Sequence, residues 1–451
     1  MLKSESILNS RELYLLSTAN SGCKLLYAPL ADALVVVSND DIISLAEAVE
    51  HPESASDNTK EVLTELCNVV PVCERENQVR GIEDFINLSI LPNNICNFSC
   101  SYCYSAKGRS SQQLSLRQVK QIIDYFLSPK RNNASKLTVS IFGGGEPLIS
   151  WKSIVAPAIE YLYKIAEAQR RMVITTLITN GSMIPDGFIE MCRQYSIDIV
   201  CSYEILEDVQ NTQRKHFHTV TNNIFTLVAE GVVPAINSVI TPLNVCRQCE
   251  MIETLHHRFP KIRYVSFEPV IDPTLDNRAD FYKRFATEFI DALQLAEKYG
   301  IILTCSTLRN VDVTVDRYCA GELALCADGS LSICPCVSSP DEPNFGQYIY
   351  GKVYDLEIFI DEERLNTLLS HNVYKQPWCQ RCFAKWNCGG GCMNTLIQDN
   401  SKPDADYCRF MKSFLKYTLT KRLDKTYIEE TGKSIKEIIG NYEYFIEEQH
   451  L

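Results

Sequence analysis

The segment CNFSCSYCY, residues 96–104, places three cysteines at CxxxCxxC spacing in a chain of 451 residues. It follows an apolar run, residues 86–91, that predicts a β-strand. Iron–sulfur clusters normally take four thiolate ligands, and no fourth cysteine is close in sequence to Cys96, Cys100 and Cys103. A [4Fe–4S] cluster held by these three residues would therefore keep one iron open for a ligand that does not come from the protein.

The CxxxCxxC segment, with the aromatic Tyr102 before its last cysteine, resembles the signature of the radical S-adenosylmethionine (SAM) superfamily. The resemblance implies that SAM chelates the open iron and that one electron from the cluster cleaves SAM to a 5′-deoxyadenosyl radical. The radical then takes a hydrogen atom from the substrate. A zinc site is the alternative, although zinc sites usually show paired CxxC motifs that supply four ligands.

A glycine-rich motif, residues 141–148 with the sequence IFGGGEPL, follows another strand-like run. Glycine allows a ligand to approach the backbone closely, and a simple glycine turn is the alternative. The segment resembles the GGEP motif of the superfamily, in which backbone groups hold the SAM amine. The resemblance implies this role for Gly144, Gly145, Glu146 and Pro147.

Two further strand-like runs end in polar residues, at 179–180 and 202–204. Barrel folds place ligand sites at such strand ends. Similar enzymes use these ends for the SAM ribose and a later arginine for the SAM carboxylate. Relatives often read Ser-x-Asp-Gly where this chain has Glu204 and Ile205, and ordinary surface charge is the alternative for the acidic and basic members. The resemblance implies SAM contacts from Thr179, Asn180, Ser202, Glu204 and Arg214.

The last third of the chain contains seven cysteines in the pattern C-x9-G-x4-C, then CxxC-x5-C-x3-C, then a final cysteine. A zinc ribbon would need two CxxC pairs instead. The pattern resembles the SPASM domain, which carries two auxiliary [4Fe–4S] clusters in relatives. The resemblance implies one cluster on Cys319, Cys334 and Cys392 and a second on Cys379, Cys382, Cys388 and Cys408.

The fourth ligand of the first auxiliary cluster is not defined by this pattern. Cys326 lies between Cys319 and Cys334 in the sequence and is our preferred candidate, with Cys305 and Cys336 as rivals.

Six strand-like runs alternate with amphipathic helical runs between residues 85 and 273 and predict parallel βαβ units. Together with the resemblance, they predict an α/β fold: a partial (β/α)6 TIM-like barrel, preceded by a small α+β module and followed by a Cys-rich SPASM domain. The expected domains are the module at 1–80, the radical SAM core at 81–305, the SPASM domain at 306–415 and a C-terminal helical extension at 416–451.

Composition limits the setting and the partners. Twenty cysteines, many of them scattered, suit a reducing interior better than a secreted disulfide scaffold. The N-terminus lacks the basic-then-apolar pattern of a signal peptide, and no apolar run approaches the length of a membrane span. We therefore expect a cytoplasmic protein of an anaerobic cell, since exposed clusters decay in air. A net charge of −12 argues against a nucleic-acid partner.

Enzymes that resemble this chain in both cysteine motifs act mostly on peptides or proteins. We therefore expect an oxidoreductase, a peptide maturase that installs a thioether or carbon–carbon crosslink in a ribosomally made precursor. The first 80 or so residues could bind the leader of that precursor by adding its strand to a sheet edge at residues 33–37. A buried interior strand is the alternative, because continuous apolar runs are usually covered on both faces.

Two other functions remain open from the sequence. One is an anaerobic sulfatase-maturating, formylglycine-generating enzyme. The chain departs from that type in its N-terminal module and in Pro335, where such enzymes tend to carry an Asp after the cysteine equivalent to Cys334. The other is a non-catalytic iron–sulfur protein that transfers electrons or binds peptide. The intact CxxxCxxC and glycine motifs argue against it.

No motif identifies a catalytic base. Glu268, at the end of a predicted strand, and Asp328, beside the cysteine-rich loop, are candidates for deprotonating a substrate group. Such carboxylates are more often helix caps or solvated groups. A reducing donor such as a flavodoxin or ferredoxin would supply the electron.

Overall fold

A computed structural model describes residues 2–68, 79–272, 274–311, 313–393 and 405–441. Its main feature is an eleven-stranded sheet with the order β10-β9-β8-β7-β6-β5-β4-β11-β12-β13-β14, of which the first eight strands are parallel and the last three antiparallel. The strands of this sheet are β4 Asn87–Ile90, β5 Lys136–Ile141, β6 Met172–Thr179, β7 Asp198–Ser202, β8 Ala235–Ile240, β9 Tyr264–Pro269, β10 Ile302–Thr304, β11 Leu323–Leu325, β12 Ser330–Ser332, β13 Ile349–Val353 and β14 Ile358–Ile360.

Helices connect most of the parallel strands. The α-helices in the described residues are α1 Leu2–Asn9, α2 Asn39–Glu50, α3 Asp57–Leu66, α4 Leu116–Leu127, α5 Ala156–Ala168, α6 Phe188–Tyr195, α7 Glu207–Gln213, α8 Phe217–Ala229, α9 Gln248–Arg258, α10 Arg278–Lys298, α11 Ser306–Arg309, α12 Phe345–Tyr348, α13 Glu362–Leu369, α14 Lys385–Cys388, α15 Ala405–Thr431 and α16 Lys436–Ile439. Short 3-10 helices cover Pro29–Ala31, Ile82–Asp84, Ala106–Gly108, Pro147–Ser150, Val245–Arg247 and Pro377–Cys379, and a π-helical turn covers Trp151–Val155.

The sequence pattern explains this layering. In β5, Leu137, Val139 and Ile141 are buried, whereas Thr138 and Ser140 between them are only partly buried. These apolar residues pack against helices, among them α4. The first turn of α4 is closed by a capping box on Ser115. This arrangement confirms the predicted α/β fold.

The opposite face of the parallel sheet carries polar residues beside apolar ones such as Ile178 and Val200. Residues that alternate with the helix-facing apolar set pair across the strands in two rows. The rows are Ser89, Ser140 and Thr176, and then Ser202, Asn237, Ser266 and Thr304. A TIM barrel normally fills its interior with bulky branched side chains. The hydroxyl and amide groups of this inner face can instead form hydrogen bonds with a polar ligand.

Strands β4 to β9 coincide with the six predicted strands. The sequence did not predict β10 or β11, each of three residues. Strand β11 pairs in parallel with β4, and β12 to β14 continue the sheet beyond it. The cysteine-rich region therefore extends the barrel sheet.

A separate three-stranded antiparallel sheet stands before the barrel, with the order β1-β2-β3: β1 Tyr14–Ser17, β2 Cys23–Ala28 and β3 Ala33–Ser38. Strand β3 is an edge strand. The module contacts the cysteine-rich region: Lys385 and Trp386 donate to the Glu12 carboxylate at 2.7 and 2.8 Å, and the Tyr27 hydroxyl donates to Asn387 at 2.9 Å.

Helix α15 packs against α10 through aromatic side chains. The rings of Tyr282 and Phe410 stack with their centroids 5.3 Å apart, and the rings of Phe289 and Phe414 meet edge to face. The start of α15, which carries Cys408, is thereby held against the barrel. None of the described helices is long and apolar enough to cross a membrane.

Candidate active site

The three cysteines of the CxxxCxxC segment lie in a loop that is closed at its base. The Asn94 amide donates to the Gln112 carbonyl at 3.0 Å, and the Leu114 amide donates to the Pro92 carbonyl at 3.0 Å. Within this loop Cys96, Cys100 and Cys103 are free and partly buried.

Hydrogen-bond donors contact two of these sulfurs. Cys96 Sγ accepts from the Phe98 amide at 3.5 Å and from Asn180 Nδ2 at 3.9 Å, and Cys103 Sγ accepts from Arg109 Nη2 at 3.2 Å. The pKa of the Cys100 thiol is raised by burial, and the charge of the nearby Arg214 guanidinium opposes part of this rise. Iron would therefore displace thiol protons when it binds here, as metal binding to cysteine generally does.

The glycine motif packs on the backbone of this loop. A Cβ atom at Gly145 would lie 1.9 Å from the Ile95 carbonyl oxygen, and one at Gly144, where φ is +59°, would lie 2.4 Å from Asn94 Oδ1. The Gly145 amide donates to the Asn93 carbonyl at 2.9 Å. Both glycines are thus required by the close approach of the cysteine loop, and their contact with the SAM amine stays a prediction.

Glu146 joins the ends of two strands. Its buried carboxylate accepts hydrogen bonds from the Thr179 hydroxyl and the Asn180 amide, both at 2.7 Å, and from the Leu148 amide at 3.1 Å. Burial raises the pKa of Glu146, and these donors oppose the rise. Asn180 also donates to Asn97 Oδ1 at 2.9 Å. The predicted residues Glu146, Thr179 and Asn180 therefore lie in one network that reaches the cysteine loop.

Glu204 and Arg214 are brought together and are both buried, at 0% and 7% exposure. Tyr102 lies between them: its hydroxyl donates to Glu204 and accepts from Arg214 Nη1 at 2.9 Å. Glu204 Oε2 also accepts from the Ser238 hydroxyl at 2.7 Å. These two residues are therefore not surface charges. Their contacts with SAM, and that of Ser202 on the inner face, stay predictions.

The cysteines of the last third lie in two groups. In the first, the surrounding protein and then the neighbouring charges, which include Cys334 and Cys392, raise the pKa of the Cys319 thiol. In the second, burial and the neighbouring Cys382 and Cys408 raise the pKa of Cys379 to about 12.

Cys388 belongs to the second group, because burial and then the charges of Cys408, Cys382 and Cys379 raise its pKa. Only Gly389–Gly391 separates Cys388 from Cys392 of the first group, and all three glycines have positive φ. A Cβ at Gly389 would lie 2.1 Å from the backbone of Arg317. The two groups correspond to the two ligand sets that the resemblance implies, and ligation itself stays a prediction.

The candidates for the fourth ligand of the first group differ in their surroundings. Cys305 is buried and caps α11 by accepting from the Leu308 amide at 3.3 Å, and the neighbouring charge that raises its pKa is Glu268. Cys326 is buried with Cys334 among its neighbours. Cys336 is the neighbour that contributes most to raising the pKa of the Cys334 thiol. These contacts favour Cys326 and Cys336 over Cys305.

The two predicted bases are occupied by structural contacts. Glu268 accepts from the Ser306 amide and hydroxyl and from the Ser266 hydroxyl at 2.7 to 3.1 Å. Asp328 accepts from the Ser330 amide and hydroxyl at 3.0 and 2.8 Å in the turn between β11 and β12. These contacts hold both carboxylates in place, and a catalytic role for either stays a prediction.

Sequence reasoning missed two charged residues at the site. Glu322 lies two residues before Ala324, which pairs with Ser89, so it shares the inner face with Ser89 and accepts from its hydroxyl at 3.0 Å. Burial raises the pKa of Glu322 to about 7. Arg109 contacts Cys103. The only sequence signal for Glu322 was a carboxylate within the short apolar segment GELAL, and Arg109 had none.

Residues 90–231 match the family model described as Radical SAM superfamily. The chain contains a radical SAM domain. This domain belongs to a class of enzymes that use SAM and a [4Fe–4S] cluster, and the residues present fit both groups. Three free cysteines share one loop, and beside them lie buried polar atoms without a hydrogen-bond partner in the described structure, namely both side-chain polar atoms of Asn94, Arg109 Nη1 and Arg214 Nε.

The radical SAM domain has named relatives. The chain is 22% identical over 349 residues to the radical SAM cyclopropyl synthase TigE of Paramaledivibacter caminithermalis, a match that covers 71% of each chain. Its fold resembles that of SuiB from Streptococcus suis with bound precursor peptide SuiA, with a TM-score of 0.53 and 16% identity over 87% of this chain and 98% of SuiB. It also resembles anSMEcpe with bound AdoMet and Cp18Cys peptide, with a TM-score of 0.55 and 15% identity over 76% of this chain and 99% of that one.

The described residues contain no group of three or more His, Cys, Asp or Glu side chains that could hold a single metal ion. In a cubic cluster each cysteine thiolate binds a different iron, whereas several ligands surround a single zinc ion.

Proposed function

We propose that this protein is a radical SAM peptide maturase that installs a crosslink, such as a thioether or carbon–carbon bond, in a ribosomally made precursor. The observation that carries the proposal is the edge strand β3 in front of a radical SAM domain. Strand β3 pairs with β2 on one side only among the described residues, and Val35 at its centre is 37% exposed. Such an edge can accept the strand of a peptide leader.

The relatives support a peptide substrate. SuiB is named with a bound precursor peptide and anSMEcpe with a bound peptide. The structural match covers nearly all of both proteins, so the barrel of this chain has the same general architecture as theirs. The inner face of hydroxyl and amide groups suits a peptide, whose backbone consists of hydrogen-bonding groups.

Different site residues have different roles in the proposed reaction. Cys96, Cys100 and Cys103 would hold the cluster, and the network of Glu146, Thr179 and Asn180 fixes the strand ends beside it. When bound, SAM and the reduced cluster supply a 5′-deoxyadenosyl radical. Arg214, held by Glu204 and Tyr102, presents a cation beside the cysteine loop for the SAM carboxylate. The two further cysteine groups would hold auxiliary clusters, and a flavodoxin or ferredoxin would supply electrons.

The first test needs no peptide. Anaerobically reconstituted protein, given SAM and dithionite, should release 5′-deoxyadenosine, measured by liquid chromatography with mass detection. Cys100→Ala should abolish this release because the open-iron site is lost, whereas Cys192→Ala, in a buried cysteine of α6 that belongs to neither cysteine group, should not. Release that persists in Cys100→Ala would rule out radical chemistry at this loop.

The second test separates the maturase from a formylglycine-generating enzyme. A short peptide with a target Cys and no leader is incubated with the full-length enzyme and SAM. We expect SAM cleavage without modification of the peptide. An aldehyde on this peptide, detected as a hydrazone adduct by mass spectrometry, would replace the proposal with the alternative.

A further inference from the structure

Arg109 is the only arginine or lysine in the described structure that donates a hydrogen bond to one of the three cysteines of the CxxxCxxC loop. Its Nη2 atom lies 3.2 Å from Cys103 Sγ. The other donors to sulfur in this loop are uncharged groups at longer distances, the Phe98 amide at 3.5 Å and Asn180 Nδ2 at 3.9 Å. The cysteine loop is therefore asymmetric, with its cation on the last cysteine.

The backbone fixes Arg109 in this position. It follows the 3-10 turn Ala106–Gly108, and the next residue, Ser110, donates its amide to the Asn94 carbonyl at 3.4 Å. Gly108 is pressed against the cysteine-rich region, since a Cβ there would lie 2.6 Å from both Ser339 Cβ and Glu342 Oε1. The turn is thus held between the base of the loop and residues 339–342. Arg109, which directly follows the turn, therefore faces the cysteines.

Arg109 forms no ion pair among the described residues, and its Nη1 atom is buried without a hydrogen-bond partner. Burial lowers the pKa of Arg109, and the charge of Glu146 opposes this shift from beyond ion-pair distance. Glu342, the acidic residue nearest the turn, is occupied by the Ser338 amide and hydroxyl, both at 2.8 Å. In the described structure, the hydrogen bond to Cys103 Sγ is therefore the only one that the Arg109 side chain makes.

We propose that Arg109 is a positioning residue that raises the reduction potential of the cluster held by Cys96, Cys100 and Cys103 through its hydrogen bond to Cys103 Sγ. The inference rests on the cluster of the proposed function. Hydrogen bonds to cluster sulfurs are among the factors that set the potential of an iron–sulfur centre, and outer contacts commonly tune metal sites. A cationic donor stabilises the reduced cluster more than the oxidised one, because the reduced cluster carries one more negative charge.

The test is a redox titration of the reconstituted full-length protein followed by electron paramagnetic resonance (EPR). The signal of this cluster is identified by its change on adding SAM. The auxiliary signals are subtracted with the Cys96/Cys100/Cys103 triple Ala variant. We expect a lower midpoint potential in Arg109→Gln than in the wild type and a smaller decrease in Arg109→Lys.

Lys107→Gln is the matched control. It removes one positive charge from the same turn, but Lys107 is exposed and forms no hydrogen bond with a cysteine among the described residues. Its midpoint potential should equal that of the wild type. A potential in Arg109→Gln that equals that of the control would overturn the inference.

A second measurement keeps the inference testable if Arg109→Gln fails to hold the cluster. Wild-type protein labelled with 15N-arginine, without SAM, should show a hyperfine coupling between the cluster and 15N in pulsed EPR. The coupling should vanish in Arg109→Lys, where Arg214 is still present. Wild-type protein without this coupling would overturn the inference, whereas wild-type protein without any SAM-sensitive cluster signal would contradict the proposed function itself.

Discussion

Arg214 and Glu204 form an ion pair in which Nη1 and Oε1 are 3.9 Å apart, and both side chains are buried. Removing one member of a buried pair leaves an uncompensated charge, which typically costs about 3 to 5 kcal/mol.

Arg214→Ala should therefore lower the free energy of unfolding by several kcal/mol and weaken SAM binding, while the iron content stays unchanged because no cysteine is touched. Anaerobic denaturant titration, SAM binding measured by calorimetry and iron analysis check these three effects. The control is Arg193→Ala, whose pair with Glu230 is exposed; it should cost no more than about 1 kcal/mol and leave SAM binding intact. Equal effects of the two variants would show that the buried pair has no special role.

The number of irons tests the three cluster sites together. Reconstituted protein should bind about twelve irons, four for each of three cubic clusters, and the triple change of Cys96, Cys100 and Cys103 to Ala should leave about eight. Iron and sulfide analysis provides the measurement. A preparation that holds zinc alone, or about four irons, would contradict the auxiliary clusters.

The fourth ligand of the first auxiliary cluster can be separated from its rivals by single substitutions. Cys326→Ala should lower the iron content, because Cys326 is buried beside Cys334, and Cys305→Ala should leave it unchanged, because Cys305 caps α11. Cys336→Ala completes the set. If only this last variant loses iron, Cys336 is the ligand and our preference for Cys326 is wrong.

Stability should depend on pH through Glu322. Its pKa in the folded protein, about 7, lies above the ordinary value of 4.5, so the protein loses stability as the pH rises through this interval and the carboxyl group ionises. Glu322→Gln does not titrate, and it should gain about 3 kcal/mol over the wild type between pH 4.5 and pH 8.5. Thermal unfolding of both proteins at the two pH values measures the gain. The exposed Glu167→Gln is the control, and an equal gain for both variants would contradict the assignment.

The N-terminal module should be separable from radical chemistry. Deleting residues 1–80 should leave SAM cleavage without substrate intact, since the cysteine and glycine motifs lie downstream, but should suppress modification of a full-length precursor. Adding the leader as a separate peptide should not restore modification, because the edge strand β3 is absent. Modification by the truncated enzyme, detected by mass spectrometry of the coexpressed precursor, would remove the leader-binding role. Glu12→Gln, which weakens the contacts of the module with Lys385 and Trp386, controls for a loosened interface.

The sequence predicted the parts of this fold that have local signals. Strands β4 to β9 each combine an apolar face with turn residues at their ends, and the cysteine motifs have fixed spacing. Strands β10 and β11 were missed because three residues carry too little periodicity. Moreover, β11 is defined by pairing with β4, more than 200 residues earlier in the chain. A pairing of that kind leaves no trace in a local window of sequence.

The candidate site shows the same division. Spacing and resemblance named the cysteines, Glu146 and Arg214, but not the partners that hold them. Tyr102 was noted as part of a motif, whereas its place between Glu204 and Arg214 depends on the packing of three separate strands and loops. Arg109 was invisible in the sequence because an arginine beside a cysteine motif is ordinary until the chain folds back to place it on sulfur.

The three glycines between Cys388 and Cys392 limit how far apart the two cysteine groups can be. Four residues of fully extended chain span at most about 14 Å, and left-handed glycines make the connection shorter still. Clusters on the two groups would therefore be close neighbours, and an electron that enters one would have a short conducting path to the other. The Gly389–Gly391 segment would then set the distance over which an electron passes between the two auxiliary clusters.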